Sequence, residues 1–134
     1  EFEKMGWDES TVPDPQDPAT FERSKLDWAE LDHDDHAILF ALYRELAKLR
    51  RERPELTDPS RVGLSARATE ADGGRVYELR RNDLVVVVNL SEAEASVPVA
   101  SGVKVLLATG EGVELADAAV SVPAGVSAIV APPL

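Results

Sequence analysis

The sequence predicts a mainly β protein with one long α-helix, and three observations support this fold class. Residues 32–56 carry apolar side chains at helical spacing. Residues 61–134 contain short apolar runs separated by glycine and proline, which is typical of an antiparallel β-sandwich or open barrel. The 134 residues are 44% hydrophobic and 29% charged, which is the composition of a globular protein of about one domain.

The first segment, residues 1–31, is rich in proline and in polar groups. Its stretch VPDPQDPATFERSKLDW (12–28) has three prolines within six positions. Because proline disrupts helix interiors and central strands, we predict a stiff loop without either element here. The acids, the amide and the serine make this stretch too rich in hydrogen-bonding groups for a bare linker.

The second segment, residues 32–56, predicts one amphipathic helix. Its apolar stripe consists of Ile38, Leu42, Leu46 and Leu49, widened by Leu39 and Tyr43. Three aspartates cluster at its start, where the helix dipole favours acids: Asp32, Asp34 and Asp35. Basic residues cluster at its end, and three of them are predicted to be a solvated helix end: Arg50, Arg51 and Arg53. Pro54 is expected to stop the helix.

The third segment predicts strands throughout. Tyr77 and Leu79 alternate with Glu78 and Arg80, and Asn82-Asp83 follows as a tight hairpin turn. The run LVVVVNL (84–90) is apolar on both faces and therefore predicts a central strand covered on both sides. Further strands are expected near 95–99, 103–107, 112–115, 119–122 and 125–131.

Charge and composition exclude several function classes. The net charge is −11, with 16 acids against 8 bases in residues 1–60 and 9 against 6 in residues 61–134. Such a chain repels phosphate, so we expect neither nucleic acid nor an anionic membrane as a partner. The chain has no cysteine, which excludes disulfides, thiolate metal sites and a cysteine nucleophile.

Three stretches in this order carry a family resemblance: Gly-Trp at 6–7, PDPQDPATFERSKLDW at 13–28 and HAILFALYRELAKLRRERPEL at 36–56. Together they closely resemble the C-terminal region of malto-oligosyltrehalose trehalohydrolases, which are α-amylase-like glycoside hydrolases. The closing VSVPAGVSAIVAPPL (120–134) matches this family more loosely.

The resemblance implies an architecture and an activity for the whole enzyme. It implies that residues 1–31 are the loop after the eighth strand of a (β/α)8 barrel. Residues 32–56 would then be the last barrel helix, and residues 60–134 a C-terminal antiparallel β domain. A complete barrel takes about 250 residues, so the chain is expected to be a truncated part of such an enzyme. The implied activity is hydrolysis of the α-1,4 bond next to the terminal trehalose of maltooligosyl trehalose, in the cytoplasm.

The resemblance also implies candidate substrate-binding residues, because loops after barrel strands form the active-site face. These candidates are Asp14, Gln16, Asp17, Phe21, Ser24 and Lys25. Trp7 and Phe21 could offer an apolar face to a sugar ring. The alternative is that the polar groups cap turns while Trp7, Phe21 and Trp28 anchor the loop.

No catalytic residue, metal ligand or cofactor is assigned from the sequence. Glycoside hydrolysis needs two carboxylates about 5–10 Å apart on a rigid scaffold. The family's catalytic motifs lie upstream of this segment, and Asp14 and Asp17 sit on a proline loop instead. His33 and His36 lie among aspartates, an arrangement that resembles a metal site. A helix start, where acids are favoured, explains that cluster more simply.

Three function hypotheses follow. The first is a non-catalytic part of a trehalose-releasing hydrolase, with the α-glucan substrate and the missing catalytic barrel as partners. The second is a free-standing carbohydrate-binding module, although Tyr77 is the only aromatic residue of the β segment. The third is a protein-interaction module. Under the first hypothesis, part of the helix stripe should face the barrel strands in the whole enzyme. In the isolated chain it should pack on the β domain or on a second copy of the chain.

Overall fold

A computed structural model of the chain describes Gly6 and residues 13–134. The helices are α1 (Pro18–Arg23) and α2 (Asp34–Glu52), and 3-10 turns span Trp28–Asp32 and Pro54–Leu56. The strands are β1 (Leu64–Ala71), β2 (Gly74–Arg81), β3 (Leu84–Asn89), β4 (Ala95–Pro98), β5 (Lys104–Ala108), β6 (Glu114–Ala116), β7 (Ala119–Val122) and β8 (Ser127–Ala131).

The chain divides into two compact units, and the division falls inside α2. The first unit runs to Ile38 and the second, which we call the β unit, comprises Leu39–Leu134. The domain boundaries expected from the sequence, after residue 31 and near residue 60, stay predictions.

The β unit contains two antiparallel sheets. The five-stranded sheet has the order β1-β2-β3-β8-β5, and the three-stranded sheet has the order β4-β7-β6. Valines from both sheets meet in one buried cluster: Val76, Val85, Val87, Val97, Val120, Val122 and Val130. The predicted fold class, mainly antiparallel β with one long helix, is confirmed, and the two layers form a sandwich.

Strand β3 is the central strand that the sequence predicts. Val85 and Val87 point into the sandwich core, while Leu84 and Val86 belong to a second apolar cluster outside it. This separation follows from the alternation of side chains along a strand. Because β3 lies third of five in its sheet, the expected central position of residues 84–90 is confirmed. The expected cover on both faces is found only in part, since Val88 lines an open groove and Leu90 is 58% exposed.

Two-residue turns join β1 to β2 and β2 to β3. Arg81 pairs with Leu84, so Asn82-Asp83 forms the expected tight turn, with Asn82 at φ 52°. In the hairpin formed by β1 and β2, Ala71 pairs with Gly74. A Cβ at Gly74 would collide with the carbonyl oxygen of Leu90, so glycine is required there. Strand β1, with the sequence LSARATEA, shows little apolar alternation, and the sequence alone does not single it out.

The expectation that residues 12–28 hold no helix is wrong. Pro18 opens α1, and the Asp17 side chain caps it by accepting the backbone N–H of Ala19 at 2.9 Å. A proline in the first turn removes an N–H that has no intrahelical partner anyway, so it favours a helix start.

The long helix begins and ends inside its predicted bounds, at Asp34 and Glu52.

Candidate functional site

The acids of the proline loop bond to their own backbone. Asp14 accepts the N–H of Gln16 at 2.9 Å, and Asp17 accepts that of Ala19 at the same distance. Each bond spans two residues, which is the geometry of an Asx turn or helix cap. All three sequence-predicted residues of this part, Asp14, Gln16 and Asp17, are exposed. The turn-capping alternative therefore accounts for both carboxylates.

Phe21, Ser24 and Lys25 lie at the end of α1. The hydroxyl of Ser24 donates to the carbonyl of Thr20 at 2.7 Å. Lys25 Nζ lies 2.8 Å from the Glu22 carboxylate and 4.8 Å from the centre of the Phe21 ring. Phe21 is 66% exposed, so the ring and the ammonium group form an accessible apolar-cationic pair.

The structure describes one of the two tryptophan candidates, Trp28. Trp28 is 73% exposed in its 3-10 turn, so it does not anchor the loop within the first unit. Trp7 lies outside the described residues.

The histidine-aspartate cluster is an exposed helix start, with Asp34 and Asp35 as acids of the first turn of α2. His36 Nδ1 lies 3.5 Å from the carboxylate of Glu30, and both side chains are more than half exposed. Within residues 13–134 and Gly6, no group of three or more histidines and acids is placed to hold a metal ion.

Two arginines hold the segment after α2 in place. The sequence analysis did not predict this role for either of them. Arg81 donates to the carbonyls of Glu55, Asp58 and Ser60, the last at 2.6 Å. Arg53 is only 4% exposed and donates to the carbonyl of Pro132 at 2.5 Å. We call Arg53 and Arg81 the arginine clasp.

The prediction of a solvated helix end is wrong for Arg53, although Arg50 and Arg51 are exposed. Pro54 ends the helical hydrogen bonding, so the Arg53 side chain leaves the helix surface and meets the C-terminal tail. No signal in the sequence near Arg53 indicates this contact, because Pro132 lies 79 positions away.

The clasp positions the inner side of α2 on the five-stranded sheet. Leu46, Leu49 and Leu56 pack over the second apolar cluster, whose buried members are Leu84, Ile129 and Ala131. The expected packing of the helix stripe on the β domain is therefore observed for Leu46 and Leu49. No residue of α2 is fully buried, so its remaining surface is open.

Across the part of the chain that the structure describes, no helix has the length and apolar character needed to cross a membrane.

Curated relatives match most of the chain. It is 49% identical over 112 residues to the malto-oligosyltrehalose trehalohydrolase of Brevibacterium helvolum, covering 84% of this chain and 18% of the relative. It is 46% identical over 124 residues to that of Rhizobium sp. (strain M-11), covering 92% and 20%. A Mycobacterium tuberculosis (strain CDC 1551 / Oshkosh) trehalohydrolase is 42% identical over 99 residues, covering 74% and 17%.

These matches confirm the resemblance carried by the proline-rich stretch and the helix. The chain spans about a fifth or less of the length of these relatives. The family model described as Domain of unknown function (DUF3459) matches residues 62–130, which comprise β1 to β8 apart from the last residue of β8. The chain therefore belongs to the DUF3459 family, a C-terminal domain of α-amylase-like enzymes.

Proposed function

We propose that the chain is the non-catalytic C-terminal part of a trehalose-releasing glycoside hydrolase. The observation that carries this proposal is the 42–49% identity to trehalohydrolases over most of the chain, together with the small share of each relative that it spans. The substrate class is then maltooligosyl trehalose, bound by the whole enzyme in the cytoplasm.

The geometry of the loop acids supports the non-catalytic part of this proposal. Asp14 and Asp17 are exposed and accept backbone N–H groups two residues away. A glycosidase needs one carboxyl group with a raised pKa and a second carboxylate held opposite it by a rigid scaffold. Two capping aspartates on one exposed turn do not provide that arrangement.

We assign three roles along the chain. Residues 1–31 supply a loop beside the substrate cleft, residues 32–56 the last barrel helix, and residues 60–134 the β domain behind it. Within the loop, the Phe21–Lys25 pair is the part that fits a sugar. An exposed ring offers an apolar face and the ammonium group offers hydrogen bonds to hydroxyls.

A chimera tests this proposal. In it, this chain replaces the matching segment of the Rhizobium relative, with which it is 46% identical over 124 residues. We expect the chimera to release trehalose from maltooligosyl trehalose and the 134-residue chain alone to release none. Release by the chain alone would contradict the proposal.

Single substitutions in the chimera test the loop. Phe21→Ala and Lys25→Ala should raise KM more than they lower kcat, since they remove contacts to bound substrate. Lys104→Ala, an exposed change on β5, is the control and should alter neither constant. If both loop variants match the control, the loop does not contact the substrate.

One observation favours the alternative of a carbohydrate-binding module. Tyr77 is 40% exposed beside an open groove of about 330 Å³. The groove is lined by alanines, valines and a leucine besides Tyr77, Arg67 and Glu78, so it offers few partners for sugar hydroxyls. Calorimetric titration of the chain with maltoheptaose decides: saturable binding lost in Tyr77→Ala favours the module.

A further inference from the structure

A groove of about 290 Å³, which we call the α2–β5 groove, lies between the long helix and the edge strand β5. Its apolar lining consists of Leu49, Leu106, Leu107, Pro133 and Leu134. Its charged lining consists of Glu45, Lys48, Glu52 and Arg53. All of these residues belong to the β unit. Ligand pockets start at about 300 Å³, so a groove of this size suits a small ligand.

A register shift in β5 places two successive leucines in this groove. Val105 pairs with Val130, and Leu107 pairs with Ile129, so one residue of β5 is extra between the two pairs. That residue is Leu106. Successive side chains of a regular strand point to opposite faces, whereas an extra residue changes the direction of one of them. Both leucines therefore line the groove, and such irregularities are over-represented beside active sites.

Arg53 brings buried hydrogen-bond donors to the α2–β5 groove. Its side chain is 5% exposed, and a guanidinium group carries five N–H donors. Among the described residues, its one side-chain hydrogen bond goes to the carbonyl of Pro132. Arg53 Nη1 lies 3.9 Å from the Glu55 carboxylate, which is too long for a hydrogen bond. Arg53 therefore retains donors for a ligand in the groove that it lines.

The charges of the groove cancel one another. The carboxylates of Glu45 and Glu52 balance the cationic groups of Lys48 and Arg53. Lys48 Nζ also lies 4.0 Å from Glu45 Oε2, so these two charges already face each other. A ligand of either net charge would meet a like charge in the groove, and a neutral ligand is therefore favoured.

We propose that the α2–β5 groove binds a neutral saccharide of one or two rings. Sugar hydroxyls both donate and accept hydrogen bonds, so they match carboxylates and cations at once, while the C–H face of a ring covers the leucines. An apolar ligand would desolvate the charged groups without giving them partners. A zwitterion would have to separate Lys48 from Glu45. Such binding does not depend on the proposed function, because every lining residue belongs to this chain.

Chemical-shift titration of the 134-residue chain tests the proposal, with trehalose and maltose as probes. We expect saturable shifts of the backbone amides of Lys48, Glu52 and Leu107. Tighter binding of trehalose assigns the groove to a trehalose unit, and tighter binding of maltose assigns it to an α-1,4-linked glucan unit. Both outcomes support the site. The absence of saturation with both sugars overturns the proposal.

Substitutions on α2 locate the bound sugar. Lys48→Ala and Glu52→Ala each remove one hydrogen-bonding side chain and should raise Kd about tenfold. Both side chains are exposed on the helix, so the fold should be retained. Arg50→Ala, an exposed change on the same helix outside the groove lining, is the matched control and should leave Kd unchanged. Equal Kd values for the control and both variants would show that the sugar binds elsewhere.

Two further titrations examine other ligand classes. Free leucine is a zwitterion and sodium sulfate supplies an anion, and neither should give saturable shifts of the groove amides. Tighter binding of either one than of the sugars overturns the proposed ligand class. Sugar-induced shifts confined to the residues around Tyr77 place the saccharide in the other groove and overturn the site. Trehalose release by the chimera is a separate measurement, so failure here leaves the proposed function unaffected.

Discussion

The two compact units are stabilised in different ways. In the described part of the first unit no residue is buried, and side chains such as Asp14, Asp17 and Asp27 bond to backbone groups two residues away. In the β unit, the core valines are fully buried, and Asn89, Arg81 and Arg53 bond to carbonyls far along the chain.

This difference indicates which unit should be stable through its own contacts. The β unit has a buried apolar core and long-range hydrogen bonds, so it should unfold cooperatively. The first unit depends on caps and turns, each of which contributes little. Four tests by substitution address this comparison, in order of decreasing expected cost.

The greatest loss of stability is expected at Asn89, which is 0% exposed. Its amide donates to the carbonyls of Val122, Ala93 and Pro123, and its oxygen accepts from Ser91. Asn89→Ala removes these buried hydrogen bonds together, so we expect a loss of about 3 kcal/mol in the free energy of unfolding. Urea unfolding followed by circular dichroism measures it.

The control for Asn89 is Ser96→Ala, an exposed strand residue of the same unit. It should change the free energy of unfolding by less than about 0.5 kcal/mol. A loss at Asn89→Ala no larger than this would show that the buried network is not a principal support of the β unit.

The arginine clasp comes next. Arg81→Ala removes donors to three carbonyls of the segment after α2, and we expect a loss of about 2 kcal/mol. Arg81→Lys should not restore stability fully, because a single ammonium group does not reproduce the planar fork of a guanidinium. Arg67→Ala on β1 serves as the exposed control in the same unfolding measurement.

The two sides of α2 provide a third test. Leu46 packs on the sheet, so Leu46→Ala should cost about 1–2 kcal/mol in the isolated chain, since this side chain is only partly buried. Tyr43 is 65% exposed, and Tyr43→Ala should cost less than about 0.5 kcal/mol. Equal costs at the two positions would contradict the packing described for the helix.

The mildest change is expected at Asp17, the cap of α1. Asp17→Ala should raise amide exchange at Ala19 and Thr20 by an amount equivalent to about 1 kcal/mol. The urea midpoint of the β unit should not move, because the bond lies in the other unit. Asp17→Asn retains a capping oxygen and is the control, and a shift of the β-unit midpoint would disprove the independence of the two units.

Local patterns in the amino-acid sequence were enough to predict the β segment, the central strand at 84–90, the turn at Asn82-Asp83 and one long helix. These patterns are alternation, helical spacing and turn chemistry, and each involves residues only a few positions apart. The family was indicated by a different kind of observation, the resemblance of the proline-rich stretch and the helix to trehalohydrolases.

Other features depend on packing between distant segments and have no local signal. Nothing near Arg53 in the chain shows that it meets Pro132, because that contact joins residues 79 positions apart. Strand β1 is weakly apolar and is a strand because β2 pairs with its backbone. Likewise, only the three-dimensional packing of α2 determines which half of the outer sheet face is covered and which half is left open, since helix and strands lie far apart in the chain.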